Sequence, residues 1–171
     1  MANVVGLEYV KPLLNVQGTV DDAVLESVVA QAEVMVVQRC GPLTATSLTK
    51  RVRARGGRLV LPVVPVISVT SVTAVESATA VDLTGTEDEV NLVAGIIKLS
   101  GARDGVAYDV VYQAGYSTTP EPLKRAVVEM TRYLFRPLQG PQVNNQVVDA
   151  SMAALRMAEM LMQPYRMTGF A

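Results

Sequence analysis

The chain has 171 residues, half of them apolar, and carries 15 Lys and Arg against 16 Asp and Glu. This length and apolar content suffice for one domain, or for one domain carrying an inserted lobe. The near-neutral charge excludes a chain built throughout to coat nucleic acid or an anionic membrane. With no histidine and one cysteine, Cys40, the sequence excludes His-containing zinc sites, histidine-dependent triads and an intrachain disulfide.

The pattern of apolar residues also bears on location. No apolar run reaches the roughly 18 residues that a bilayer-spanning helix needs. The first residues lack the basic and then apolar pattern of a secretory signal. We therefore expect a soluble protein that is made in a reducing cytoplasm and has no membrane partner.

Two helical segments are predicted at the start of the chain. A short helical turn at 7–14 is weakened by Pro12. A long helix follows, with Thr19 as its predicted N-cap and apolar residues at three-and-four spacing along one side. Gly41-Pro42 ends this helix.

The next segment, 48–116, is rich in Val, Thr and Ile and interrupted by Gly and Pro, which predicts several short strands. Gly56-Gly57 and Ala94-Gly95 are predicted hairpin turns. Within one strand the apolar positions change parity between Val69 and Val72, which indicates a β-bulge. The predicted strands are Arg51–Ala54, Arg58–Leu61, Ile67–Val75, Val90–Val93, Ile96–Leu99 and Val106–Tyr112.

The chain then returns to helix through a strand-to-helix junction. Gly115 ends the last strand, Pro120 suits the first turn of a helix, and Glu121 favours the positive end of the helix dipole. Helices are predicted over Pro120–Phe135 and Val147–Met162.

The order of these elements predicts an α+β fold. It consists of a small helical bundle, formed by the N-terminal helix and two C-terminal helices, with a β-rich insertion between the first and second long helices. We expect a single domain over 1–171, with the insertion at 48–116 and a C-terminal helix and tail at 144–171.

A basic run is the strongest charge feature of the sequence. It contains Lys50, Arg51, Arg53, Arg55 and Arg58. On a strand, three of the arginines share one face, which can contact nucleic-acid phosphates or an acidic partner surface. The alternative interpretation is a solvated edge strand that its charges protect from aggregation. The run contains no aromatic residue, which argues against sequence-specific single-strand binding.

An acidic set, Asp82, Glu87, Asp88 and Glu89, follows later in the β-rich segment. It matches no calcium-binding loop, because the expected glycine and closing Glu are absent. A solvated loop is the simpler interpretation, and the loop could also meet basic residues of a neighbouring copy. Elsewhere no serine has a base partner and no phosphate-cradling glycine motif is present. We therefore predict no catalysis, no cofactor and no metal site.

Methionines are concentrated near the C-terminus, at positions 152, 157, 160, 162 and 167. Methionines of this kind fill a core or form an adaptable contact surface. We expect a contact surface, because a helix this near the end of the sequence has little left of its own chain to pack against.

Four segments occur in an order and spacing typical of one family. They are Tyr9–Leu14 leading into Asp21–Leu25, Leu59–Pro62 followed by Pro65–Val72, Val110–Ala126, and Leu161–Arg166. Together they cover most of the chain and resemble the bacteriophage head-to-tail adaptor proteins, the small connectors that dock under the portal.

The resemblance implies a structural role without catalysis or a cofactor. Adaptors of this family assemble as a ring, usually of twelve copies, beneath the portal after DNA is packaged. The ring extends the channel through which genomic DNA passes, without sequence-specific contact, and gives a stopper or tail-completion protein its platform. The protein would then belong to the virion neck, at the head–tail interface, and assemble in the cytoplasm of the host bacterium.

The resemblance also implies that the C-terminal segment, Val147–Arg166, contacts the portal or a neighbouring subunit. The candidate portal-contact residues are Met152, Leu155, Met157, Leu161, Met162, Tyr165 and Arg166. A ring needs two different complementary patches on each copy, and the basic run and the acidic set could supply one such pair. Alternatively, the basic run faces the DNA channel.

Two other functions fit the sequence. One is a sequence-independent nucleic-acid-binding module that uses the basic strand at 50–58. The other is a different neck component, a stopper or a tail-completion protein, because these proteins are also small and ring-forming.

Overall fold

The β-rich part of the chain is inserted, in sequence, between two parts of a helical unit. In the computed structural model, residues 4–77, 80–81, 90–99, 102–135 and 145–167 are described. The helical unit is formed by Met1–Leu43 together with Thr119–Arg166, and the β unit by Thr44–Thr118. The mixed helical and antiparallel architecture confirms the predicted α+β fold class.

The helical unit is organised around its third helix. Its helices are α1 (Leu7–Leu14), α2 (Asp22–Cys40), α3 (Glu121–Phe135) and α4 (Asn145–Met162), followed by a 3₁₀ turn at Gln163–Tyr165. α3 packs against each of the other three. All four helices lie where the apolar spacing predicts them. The predicted cap of α2 is wrong, because Asp21 rather than Thr19 is the N-cap and its side chain makes no capping hydrogen bond.

The face that α3 buries explains its central place. Leu123, Ala126, Val127 and Met130 are all fully buried and follow helical spacing. The Thr131 hydroxyl, also buried, donates a hydrogen bond of 2.8 Å to the Val127 carbonyl of the preceding turn. The polar group is therefore satisfied inside the bundle and costs little.

α4 has a buried side of its own. Ala154, Ala158 and Met162, spaced four residues apart, are buried and form one stripe, and α4 packs closely on α3. The expectation that this helix has little of its own chain to pack against is therefore wrong. The Cys40 thiol lies 3.9 Å from the Met162 carbonyl, and burial raises the pKa of that thiol.

The β unit contains two antiparallel sheets that share one core. Its strands are β1 (Thr46–Arg53), β2 (Arg58–Val60), β3 (Val66–Ala74), β4 (Ala80–Val81), β5 (Val90–Asn91), β6 (Ile96–Lys98) and β7 (Ala107–Ala114). Four strands pair in the order β1-β7-β3-β4 and three in the order β2-β6-β5. Both sheets contribute to one cluster of buried side chains, for which Leu59, Ile97 and Tyr112 are representative.

Alternation along β7 sets the two faces of the larger sheet. Tyr108, Val110, Tyr112 and Ala114 are buried, and the residues between them face outward. The register of β3 against β7 shifts between Val69 and Ser71, which confirms the predicted bulge.

A tight turn connects β5 to β6 at Gly95. This residue has φ +64°, and a Cβ placed on it would lie 2.6 Å from Cγ1 of Val64. A hydrogen bond also holds the turn, because the Leu61 N–H donates to the Gly95 carbonyl over 2.8 Å. Both the backbone conformation and the available space therefore require glycine here.

Candidate functional site

The basic run lies mainly on β1, at the edge of the larger sheet. Arg51 and Arg53 point to its outer face, as the alternation predicts. Arg51 pairs across the sheet with Asp109, through Nε to Oδ1 at 2.8 Å and NH2 to Oδ2 at 2.9 Å. This hydrogen bonding lowers the pKa of the Asp109 carboxyl and raises the pKa of Arg51. Arg51 is therefore already neutralised within its own chain.

The other cations of the run remain available. Lys50, Arg53, Arg55 and Arg58 are exposed, and none of them forms an ion pair within the described ranges. Arg55 and Arg58 face each other across the turn at Gly56-Gly57 through two backbone hydrogen bonds of 2.9 and 3.0 Å. Four positive charges that have no ion pair in the described ranges thus lie on β1, the turn that follows it and the first residue of β2.

The acidic set proposed to complement this run falls outside the described residues. Asp82, Glu87, Asp88 and Glu89 all lie between β4 and β5, in the segment 82–89 that the structure does not describe. Their pairing with the basic run stays a prediction.

The candidate portal-contact residues divide by exposure. Met152, Met157 and Arg166 are exposed, and Met160 joins them with 65% of its surface accessible. Three others, Leu155, Leu161 and Tyr165, are half-buried. Met162 is fully buried in the helical unit. It acts as a core residue, and its side chain cannot contribute to a contact surface.

A groove of about 520 Å³ runs between the end of α1, α3 and α4. Its apolar lining includes Leu13, Leu14, Phe135, Ala153 and Met157. Two arginines and a glutamate of α3 complete the wall. This groove was not predicted from the sequence, because it joins α3 and α4 to the end of α1, where Leu13 lies 119 residues before Arg132.

The charged wall of the groove is built around Glu129, which is buried. Arg132 forms a close ion pair with the Glu129 carboxylate. The other NH2 group of Arg132 donates a hydrogen bond of 2.7 Å to the Leu13 carbonyl at the end of α1. Arg125 approaches Glu129 more loosely, with Nε 3.4 Å from Oε1. A sequence signal exists, because Arg125, Glu129 and Arg132 follow i, i+4, i+7 spacing on one side of α3.

Further polar contacts hold the N-terminal segment to the helical unit. Tyr9 hydrogen-bonds the Glu121 carboxylate, which raises the pKa of Tyr9 and lowers the pKa of Glu121. The Val5 N–H donates a hydrogen bond of 2.8 Å to Glu33, whose pKa is raised because burial outweighs that bond. These contacts serve the packing of α1, and none of them creates a cleft in which a substrate could react.

Comparison with known proteins relies on solved structures, because no protein-family model and no curated protein matches the chain. A chain in the neck of a native GTA particle, solved with C12 symmetry, superposes with a TM-score of 0.61 at 19% identity, covering 87% of this chain and 85% of that one. The chain therefore shares the fold of that neck chain.

Two further structures agree. The neck of an empty GTA particle, solved with C6 symmetry, gives a TM-score of 0.61 at 18% identity over 91% of this chain and 83% of that one. A chain from the virion of a native gene transfer agent particle gives 0.58 at 20% identity over 91% and 82%. At such identities the likeness establishes the fold that these chains share.

The described part of the chain contains no group of side chains arranged to bind a metal ion. No cluster of three or more His, Cys, Asp or Glu side chains is placed to hold an ion there. Among the helices described, none has the length and apolar character needed to cross a membrane. The surfaces that stand out are an edge strand with unpaired cations, a groove with arginines in its wall, and exposed methionines on α4.

Proposed function

We propose that this protein is a structural head-to-tail adaptor of a tailed bacteriophage or a related particle. It forms a ring under the portal, extends the DNA channel and provides the platform for a stopper or tail-completion protein. The observation that carries the proposal is the likeness, over 87% of the chain, to a chain in a neck solved with twelve-fold symmetry.

The surface of the protein supports a role in assembly and not in catalysis. The helical unit exposes large apolar side chains on α2 and α4, which monomeric proteins seldom leave in water as extended faces. Glu129 and Thr131, two buried polar residues of the helical unit, are satisfied by contacts within the chain and are not poised for chemistry. In this proposal the C-terminal segment contacts the portal or a neighbouring copy through its accessible residues, among them the half-buried Tyr165 and the exposed Arg166.

The finer assignments follow from the adaptor role. The partners are the portal, further copies of the chain, twelve in all in the family pattern, and the next neck protein. Genomic DNA passes through the lumen without sequence-specific contact. The protein resides in the virion neck and assembles in the cytoplasm of the host bacterium, and it needs no cofactor.

The adaptor proposal is tested by electron microscopy of the protein mixed with its portal, together with mass spectrometry of purified particles. We expect a ring stacked on the portal and stoichiometric protein in mature particles. Absence of the protein from particles, combined with no binding to the portal, would overturn the proposal. A ring attached to the tail but not to the portal would favour a stopper or tail-completion protein instead.

One specific observation favours a second candidate function. Lys50, Arg53, Arg55 and Arg58 form no ion pair among the described residues and lie on β1, the turn that follows it and the start of β2. Such a cluster of cations is the electrostatic footprint of a sequence-independent nucleic-acid-binding module. A gel shift by the isolated monomer that weakens steeply with salt would support this alternative. No shift at low salt would exclude it.

A further inference from the structure

Two faces of the helical unit expose apolar side chains, and they lie on different helices. The valine face comprises Val20, Val24, Val34 and Val37, on α2 and the turn before it. The methionine face comprises Met152, Met157 and Met160 on α4. Both faces lie within one unit of the chain, and they differ in shape and chemistry.

The valine face is unusual for the solvent side of a helix. Val20 has 96% of its surface exposed and Val34 has 56%. Of the exposed residues within α2, only Glu26 is charged, and the rest are Val, Ala, Ser or Gln. The outer side of an ordinary surface helix carries charged and polar residues, whereas the centre of a protein interface is depleted in charge.

The methionine face has the complementary properties. Methionine is flexible and polarizable, so it adapts to the rigid, branched outline of valine. Met157 also lines the groove of about 520 Å³ described above, which gives protruding side chains a place to enter. A cleft of this size is typical of sites that bury a ligand or a run of side chains.

The charges beside the two faces are opposite. Asp21, at the start of α2, is exposed and forms no ion pair among the described residues. Arg156 lies among the exposed methionines, and Arg125 lines the groove with its guanidinium only loosely held by Glu129. Complementary charges of this kind fix orientation and register at an interface.

A cyclic ring requires a heterologous contact, in which one patch of each copy meets a different patch of the next. We infer that the valine face of one copy seats on the methionine face and adjoining groove of the next copy. The inference rests on the proposed ring and names the surfaces that close it. It also assigns the exposed methionines to a neighbouring copy, and leaves the portal to the residues that follow α4.

Cross-linking tests this contact directly. In a Cys40→Ala background, Val34→Cys and Met157→Cys are combined in one chain and treated with a short bifunctional maleimide. Because the contact runs head to tail, we expect a ladder of covalent oligomers beyond the dimer, both in purified particles and in the concentrated purified protein. Val24→Cys in place of Val34→Cys samples the same face about 15 Å nearer the start of α2.

The controls separate this contact from other interfaces. Each single cysteine variant can give at most a dimer. Val93→Cys with Met157→Cys provides a matched pair, because Val93 is 84% exposed and belongs to the β unit. We expect no ladder from that pair. A ladder from it, or none from either valine-face pair, would overturn the inference.

The outcomes also distinguish this inference from the adaptor proposal. If the protein occupies the neck but Met157→Cys cross-links only to the portal, the adaptor proposal stands and the inferred contact is wrong. If the protein is absent from particles and does not bind the portal, the adaptor proposal fails. In that case the cross-linking of the concentrated purified protein alone tests the inferred contact. The absence of a ladder there would overturn the inference.

A second pair of variants measures how strongly the contact contributes to self-association. Val34→Lys places a charge in the proposed interface, and Val93→Lys places the same charge at the matched exposed valine. We expect Val34→Lys to weaken self-association at least tenfold and Val93→Lys to leave it unchanged, with both variants giving the wild-type circular dichroism spectrum. Equal effects of the two substitutions would contradict the inference.

Discussion

The helical unit and the β unit distribute charge and apolar surface in opposite ways. The helical unit buries a carboxylate, Glu129, and leaves Val34 and Met160 in solvent. The β unit buries most of its large apolar residues in a shared core, with Val93 as an exposed exception, and presents Arg53 and Lys50 along an edge strand. In the β unit the chain therefore buries apolar residues and presents charged residues to water. The exposed apolar side chains on the surface of the helical unit are therefore suited to contact a partner. The charged edge strand of the β unit is suited to water.

The largest effect on stability is expected when the helical unit loses the cation that neutralises its buried carboxylate. Arg132→Met leaves Glu129 buried without its closest partner and also removes the bond to the Leu13 carbonyl. We expect a loss of about 2–3 kcal/mol in the free energy of unfolding, measured by urea denaturation. The double variant Arg132→Met/Glu129→Leu should lose less than the single one. A double variant that is less stable than Arg132→Met would show that burial of the unpaired Glu129 carboxylate is not the cause of the loss.

A substitution at Gly95 tests how far the stability of the β unit depends on close packing at the turn between β5 and β6. Gly95→Ala forces a side chain into contact with Val64 at a positive φ, so we expect a loss of about 2 kcal/mol in the free energy of unfolding. Gly105→Ala is the matched control, because Gly105 has φ +82° but open space around it. It should lose about 1 kcal/mol, the cost of the backbone conformation alone. Equal losses would mean that the contact with Val64 relaxes freely.

The smallest effect is expected at the exposed ion pair of the β unit. Because the folded-state pKa of Asp109 is lowered, its pairing with Arg51 stabilises the fold above the unfolded-state pKa of the carboxyl and is lost as the pH falls through the folded-state value. Asp109→Asn should therefore be slightly less stable than the wild type at neutral pH. The two proteins should converge in acid. A difference in denaturation midpoint that persists at low pH would show that the carboxylate charge is not its source.

Much of the fold was predictable because its elements obey local rules. The four helices follow apolar spacing with clear stop signals, and the change of parity in β3 indicated its bulge before any pairing was known. The first half of β1 was missed, since four of the five residues at 46–50 are polar and exposed, and the half-buried Leu48 alone gives no alternation to reveal a strand. What defines that strand is its pairing with β7, from Thr46 opposite Ala114 to Arg53 opposite Ala107.

The interaction surfaces were less predictable, because exposure depends on which side of a helix its neighbours cover. Met162 and Met157 belong to the same cluster in the sequence, yet one is buried against the bundle and the other lines a groove. The valine face of α2 was hidden for a similar reason. Apolar residues surround this helix on both sides, so the sequence pattern alone does not separate core from contact surface.

The point at which the chain leaves and re-enters the helical unit has a consequence for how such proteins diversify. The Thr119 hydroxyl donates a hydrogen bond of 2.8 Å to the Leu43 carbonyl, so the two ends of the inserted segment are fastened side by side. Any module whose own termini lie that close can be grafted at this junction without disturbing the helices. Lineages that share the bundle are free to exchange whole lobes there, and an engineer could install a fluorescent or affinity tag in the same place.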